Sequence, residues 1–258
     1  MTETAALPAP DPTLEWAPRV LLRVEIGSTA YGTSLDDGQS DHDEIGVMAT
    51  PWQATVGLAP GHDKTIVYRP GRGTYDSSGA GDYDLQVHPA RKFASLATQG
   101  NPTVLMVLYG PVRFSTPLGD ALRAIAPAFR SIHARNAFLG YARAQRERLA
   151  GVRGGRHVNR EELERTHGYD TKYAMHMLRL GYQGIEYMET GAMELPIPGQ
   201  PGENLRAVRR GEWKLEDVLA EAEAIEQRLH DTEWGVPETA DFEPVNDWLL
   251  DVCRSVLP

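Results

Sequence analysis

A glycine-serine turn followed by two aspartates, the whole held between apolar runs, is the feature that most constrains this chain. The turn is Gly27-Ser28-Thr29-Ala30-Tyr31-Gly32, and the aspartates fall in Ser40-Asp41-His42-Asp43-Glu44-Ile45-Gly46-Val47. The flanking runs, Leu21-Leu22-Arg23-Val24-Glu25-Ile26 and Ile45-Gly46-Val47-Met48, have the length and composition of strands. Gly27 has no Cβ, so backbone there can approach a ligand closely. Ser28 adds a hydroxyl and a free amide at an expected helix start, a natural place for a phosphate. Asp41 and Asp43 are two residues apart, so on a strand they point to the same side with Cα atoms roughly 6.6 Å apart. Carboxylates so arranged can bridge two Mg²⁺ ions, about 3.5–4 Å apart in two-metal sites, and so stabilise both oxygens of a phosphoryl displacement. Taken singly, a Gly-Ser pair or an Asp-x-Asp is more often a turn or a cap. The order of strand, turn, loop and strand favours the metal-and-phosphate reading.

Gly27-Ser28, Tyr31-Gly32 and Ser40-Asp41-x-Asp43-x-x-Gly46-Val47 resemble the core of the DNA polymerase beta-type nucleotidyltransferase superfamily. Within it the chain is most similar to the RNA repair pathway (RlaP-like) family. Arg91-Lys92-Phe93, Gly100-Asn101-Pro102-Thr103-Val104-Leu105, Lys172 to Leu180 and Asp241-Phe242 to Leu250 look like that family too, so the likeness covers most of residues 20 to 258. Only the first motif is chemically specific. The resemblance implies a third carboxylate on a neighbouring strand, able to bind one metal and take the proton of an attacking hydroxyl. Asp84 is the choice, because it directly precedes the alternating Leu85 and Val87; Asp82 is the alternative. The resemblance also implies that a helical domain helps hold the nucleotide. Lys172, His176 and Arg179 fall at i, i+4 and i+7 of a strong helix, Thr171 to Glu189, and form a cationic stripe suited to that task. A solvated, salt-bridged face is the competing explanation of such a stripe.

Net charge is −10 over 258 residues, which by itself argues against a nucleic-acid partner. The distribution alters that: between Glu212 and Asp251 thirteen acidic residues face only Lys214 and Arg228, so the rest of the chain is close to neutral. From Arg143 to Lys172, eight Lys and Arg stand against five acidic residues, with Arg153, Arg156 and Arg160 in a glycine-rich loop. That segment is either a solvated face or a phosphate-backbone contact surface. Hydrophobic content of 41% and charged content of 24% fit a globular protein with a real core. No apolar run approaches the ~20 residues of a membrane span. Residues 1 to 15, rich in Ala, Pro and acidic residues, have neither a basic nor an apolar signal region and are expected to be a disordered lead. The single Cys253 excludes an internal disulfide and suits a reducing, cytoplasmic setting; its apolar surroundings predict a core position.

Strand signals continue through Thr65-Ile66-Val67-Tyr68 and within Asp82 to His88, where Leu85 and Val87 alternate with polar residues. Gly71 to Gly81 lacks a Gly-Lys-Ser/Thr ending and is no P-loop. Helices are expected over Ala90 to Ala97, over Thr103 to Leu108 after Pro102, over Leu118 to Ile125, over Asn136 to Leu149, from Leu215 to Leu229 and over Val245 to Val256, with a Pro/Gly turn from Ile197 to Gly202. The expected fold is α/β: a small mixed-sheet catalytic domain at 16–120 and a helical domain at 121–258. The expected activity is transfer of a nucleoside monophosphate from an NTP such as ATP to an acceptor hydroxyl. Asp41, Asp43 and Asp84 would hold two Mg²⁺, with Mn²⁺ as a substitute, and Gly27 and Ser28 the β- and γ-phosphates. The resemblance and the arginines favour an RNA 3′ end as acceptor. A protein hydroxyl comes second and a small molecule third. A catalytically silent nucleotide- or RNA-binding module is the alternative of another class.

Overall fold

Alternating apolar residues in the first half of the chain build a five-stranded mixed sheet. The computed structural model describes residues 19–35, 42–53, 64–69, 83–150 and 161–257. The strands are β1 (Arg19–Ile26), β2 (His42–Ala49), β3 (Ile66–Tyr68), β4 (Tyr83–Pro89) and β5 (Val112–Ser115), in the order β3-β4-β2-β1-β5. β1 runs antiparallel to β2 and β5, β2 runs parallel to β4, and β3 is antiparallel to β4.

β1 is buried from Val20 to Glu25, as expected of a strand covered on both faces. One face presents Leu22, Val24, Ile45 and Val47 to the helices. The other carries a smaller cluster of Val20, Met48, Leu85 and Val87, with Ile66, Tyr68, Tyr83 and Phe114 packed on it. Arg23 lies on this second face and is 8% exposed. Its guanidinium is paired to Glu44 at 3.4 Å, donates to the Tyr83 hydroxyl at 3.2 Å and sits 5.8 Å from the Phe114 ring centroid. Gly46, the register partner of Arg23, leaves room for it, since a Cβ there would come within 2.5 Å of the Leu22 carbonyl oxygen and 3.1 Å of Arg23 Cγ.

The helices are α1 (Gly27–Tyr31), α2 (Ala90–Thr98), α3 (Pro102–Tyr109), α4 (Pro117–Ala124), α5 (Ile132–Leu149), α6 (Glu161–His167), α7 (Thr171–Thr190), α8 (Gly199–Arg209), α9 (Leu215–Asp231) and α10 (Phe242–Arg254). A short 3₁₀ turn, Ala126–Phe129, precedes α5. Several starts are written in local chemistry. Asn101 Oδ1 accepts from the amides of Thr103 and Val104, both at 3.1 Å, ahead of Pro102. Asp170 Oδ1 caps α7 through the amides of Lys172 and Tyr173 at 2.9 and 3.0 Å. α7 is the axis of the helical half, with α5, α8 and α9 packed round it and twelve of its twenty residues buried. One continuous buried cluster runs from Leu22 and Ile45 of the sheet through Phe93 and Phe138 to Tyr187 and Trp248. Trp248 also donates to the Leu118 carbonyl at 2.9 Å, tying α10 to α4.

The structure departs from the sequence expectations in several places. β5 is a four-residue edge strand with Val112 and Arg113 exposed, too short and too wet to show alternation. α6 has no buried residue, hence no apolar period, although Glu161, Glu162 and Glu164 at its start and Arg165 and His167 at its end complement the helix dipole. The expected Pro/Gly turn over Ile197 to Gly202 is the entry to α8, where Pro201 sits in the first turn and Leu205 and Val208 are buried. α5 begins at Ile132, four residues before the expected start. Cys253 is exposed, not in the core. Val245, Trp248 and Val252 line the inner stripe of α10, and the residue after Val252 is rotated about 100° away from it. Among the described residues no helix is long and apolar enough to cross a membrane.

His88 on β4 gives the fold a pH dependence. It is 8% exposed and its Nδ1 lies 2.8 Å from the Thr65 hydroxyl. Burial, with Lys92 nearby, pushes its pKa from 6.5 down to about 4. The folded chain therefore holds the ring neutral while the unfolded chain takes up a proton, so this contribution is complete above pH ~6.5 and is lost as pH falls toward 4. His88→Asn, which keeps an acceptor for Thr65, should remove up to about 3 kcal/mol of that acid sensitivity. Urea unfolding at pH 7.5 and pH 4.5, wild type against variant, measures the difference.

Candidate active site

The site is built where β1 ends. In the ladder, Ile26 pairs with Asp43 on β2, and Asp43 pairs with Asp84 on the parallel β4. Register partners on neighbouring strands present their side chains to the same face, with strands about 4.8 Å apart. Asp43 and Asp84 are thus adjacent carboxylates on one face of the sheet, Asp43 half-buried and Asp84 9% exposed. β3 extends the row: Tyr68 pairs with Leu85, and the next residue, Arg69, places Nε 3.2 Å from Asp84 Oδ1. A cation and two carboxylates therefore lie side by side across three strands.

Gly27 completes the row from the β1 side. Its φ is +83°, and a Cβ built on it would fall 2.5 Å from Asp43 Oδ2 and 3.2 Å from Asp43 Cβ. Only a residue without a side chain leaves room for that carboxylate in a conformation that L-residues rarely adopt. Ser28 follows, half-buried, accepting from the Ser34 hydroxyl at 3.3 Å, while its carbonyl accepts from the Thr33 amide at 2.9 Å. Thr33 is 1% exposed, and its hydroxyl has no hydrogen-bond partner among the described residues.

The helical half meets the motif just beyond. The Tyr31 carbonyl accepts from the Ile197 amide at 3.2 Å, and Arg206 of α8 donates to the Gly32 carbonyl at 3.4 Å. From α7, the Arg179 guanidinium lies 4.2 Å from the Tyr31 ring centroid. Lys172 and His176 share the half-buried stripe of α7 with Arg179, and Arg209 reaches back to the Thr171 hydroxyl at 3.4 Å.

The structure therefore brings Gly27, Ser28, Asp43 and Asp84 together and sets Arg179 against the motif through Tyr31. Asp41, the alternative Asp82, and the proposed RNA contacts Arg153, Arg156 and Arg160 lie outside the described residues. Of the other arginines in that basic stretch, Arg143 and Arg146 are spent on Glu226 of α9, with Arg143 Nε at 2.6 Å and Arg146 Nη1 at 3.4 Å. Arg69 and Arg206 were missed by sequence reading. Arg69 carries no signal beyond standing one residue past a short strand. Arg206 stood in a segment read as following a turn, although Leu205 and Val208, three apart after a proline, mark a helix face.

The donor set suits a hard divalent cation, since both adjacent side chains offer carboxylate oxygens, the ligands Mg²⁺ and Mn²⁺ prefer. Among the described residues no group of three or more such ligands occurs.

A family model, the RNA repair pathway DNA polymerase beta family (RlaP), matches residues 11–231. The chain belongs to this family. It is accordingly a nucleotidyltransferase of the polymerase beta type, a class that generally uses divalent metal ions and nucleoside triphosphates. Comparison with curated proteins finds no match. Among solved structures, a nucleotidyltransferase-like protein from Exiguobacterium sibiricum 255-15 is similar at 14% identity, over 92% of this chain and 75% of that one, with a TM-score of 0.29. At that score the likeness adds nothing to the family assignment.

Two outcomes follow from this RlaP-family site. Gly27→Ala should cost about 1–2 kcal/mol or more of stability, because the φ is strained for alanine and the Asp43 carboxylate must move; thermal unfolding reads this. Asp43 and Asp84 are like charges directly opposite, an arrangement that opposes folding by roughly 0.2–1 kcal/mol. Without added metal, Asp84→Asn, which breaks the ion pair with Arg69, should be less stable than the wild type in urea.

Proposed function

We propose that the chain is a divalent-metal-dependent nucleotidyltransferase that moves a nucleoside monophosphate from an NTP to the 3′ hydroxyl of an RNA. The observation that carries this is the register of Asp43 against Asp84 with Gly27 packed on Asp43, which supports a pair of adjacent carboxylates beside a backbone turn. On this reading the sheet-bearing part, residues about 16–120, is catalytic, and the helical part, about 121–258, closes over it.

In the reaction, Gly27 and Ser28 hold the β- and γ-phosphates, the glycine by permitting close approach and the serine through its hydroxyl and amide. Asp41, Asp43 and Asp84 would hold the two metal ions. When bound, those ions polarise the phosphate and stabilise the charge on the attacking and leaving oxygens. Asp84 takes the proton of the acceptor hydroxyl. The acceptor oxygen forms a bond to the α-phosphorus in line with the bond to the β-phosphate oxygen, which breaks, and pyrophosphate leaves. Lys172 and Arg179 make the helical side of the site positive toward the triphosphate, and His176 on the same stripe offers a ring N–H. Arg69, beside Asp84, keeps two neighbouring carboxylates tolerable before any cation arrives.

The test is incubation with each labelled NTP and Mg²⁺ in the presence of total RNA and total protein. Label should enter RNA, and Asp43→Asn or Asp84→Asn should abolish it while circular dichroism stays native. Loss of the charge stabilisation at one metal ligand removes several kcal/mol from the barrier reduction. Wild-type turnover in either variant would remove these residues from the site, and label in a polypeptide would replace RNA by a protein acceptor. RNA affinity should also fall with salt at a log–log slope of roughly −0.7 per phosphate contacted. Replacing Arg153, Arg156 and Arg160 by Ala should flatten that slope and leave NTP binding alone; coincident curves would discard the arginine-rich segment as the RNA contact.

A further inference from the structure

Arg179 differs from an ordinary phosphate-binding arginine in how its donors are committed. One guanidinium edge is taken by Gln183, which accepts from Nη1 at 2.6 Å. Gln183 is itself 1% exposed and anchored by an Nε2 contact to Met106 Sδ at 3.7 Å. Nε is buried and has no hydrogen-bond acceptor among the described residues. The flat face of the group lies against Tyr31, 4.2 Å from the ring centroid, a strong cation–π distance in a site where Tyr31 is only 5% exposed. Tyr31 stands three residues after Ser28 in the same short helical turn, so the two share a face of α1. Its carbonyl is tied to Ile197, and the Ser28 carbonyl is tied to Thr33. The turn is therefore clamped from the helical half by a ring under a guanidinium.

We infer that Arg179 is a positioning residue: through Tyr31 it holds the Gly27-Ser28 turn in its phosphate-binding shape, and it does not itself contact the phosphates. The inference rests on the reading of that turn as the triphosphate site. It divides the stripe of α7 by role, leaving direct attraction of the nucleotide to Lys172 and His176. A lysine is a poor replacement, because a planar fork that stacks and donates at once has no ammonium counterpart.

The experiment is a double-mutant cycle on NTP binding, measured by calorimetry with ATP, GTP, CTP or UTP and Mg²⁺, whichever binds wild type most tightly. Arg179→Leu and Tyr31→Leu should each weaken binding about tenfold, and the double variant should lose about tenfold as well, not the hundredfold product of independent sites. In the Tyr31→Leu background, Arg179→Lys and Arg179→Leu should bind alike. Multiplied losses, or rescue by lysine in that background, would make Arg179 a direct phosphate ligand and overturn the inference. Unchanged affinity in folded single variants would reduce the pair to packing and overturn it equally. Arg179→Gln serves in place of leucine if the leucine variant fails to fold. Ser28→Ala separates the two levels: if it leaves affinity untouched, the turn is not the phosphate site and the inference falls with that reading. If it weakens affinity while the cycle is additive, only the inference falls.

Discussion

The pairing of β1 with β2 and of β2 with β4 is the constraint on which the rest of the structure depends. Side chains on a strand alternate with a period of two, so a slip of one residue would exchange Asp43 for Glu44 on the site face and drive Ile45 and Val47 out of the core. Both faces oppose such a slip. Val24, Ile45 and Val47 are fully buried against helices on one side. On the other, Arg23 is matched to Glu44 and Tyr83 in a pocket where an unpartnered guanidinium would be costly. The register that satisfies the core is the register that sets Asp43 beside Asp84 and Gly27.

Charge is handled locally along the same lines. Two adjacent carboxylates repel, and Arg69 at the edge of the row offsets Asp84. Glu25, 7% exposed on the opposite face, is met by Arg113 of β5 at 2.8 Å. In the helical half, the acidic surface of α9 takes up Arg143 and Arg146 through Glu226, and Tyr182 through Glu221 at 2.8 Å. Glu226, within the acidic C-terminal segment, thus serves as intramolecular counter-charge to two arginines of α5.

Beyond the shared core, one short turn gathers several of the contacts between the sheet and the helices. Tyr31 and Gly32 receive Ile197, Arg206 and the Arg179 stack within two residues, and a Cβ on Gly32 would meet Pro196 at 2.8 Å. A turn opened by Gly27 and closed by Gly32, both at positive φ, has little local backbone restraint of its own. Stiffness comes instead from α7 and α8, rigid elements packed on a continuous core. The Gly27-Ser28 turn and the helices packed on it are therefore mechanically one unit.

The family was legible through the resemblance of its first motif, and the mixed α/β class and most helices were legible because they rest on local rules. Caps such as Asn101 and Asp170, the apolar stripe of α7 and the alternation around Leu85 act over a few residues and leave their mark in order. What was not legible acts across distance or without an apolar period. β5 is a short wet edge, α6 buries nothing, and α8 hides behind two prolines. Cys253 looked apolar by its neighbours but falls on the outer side of α10. That Asp84 stands level with Asp43, that Arg69 flanks it, and that Arg179 stacks on Tyr31 are facts of strand register and of helix packing. Sequence proximity determines the residue types brought to a site; only the tertiary structure, by satisfying the core on both faces of the sheet at once, decides which of them meet.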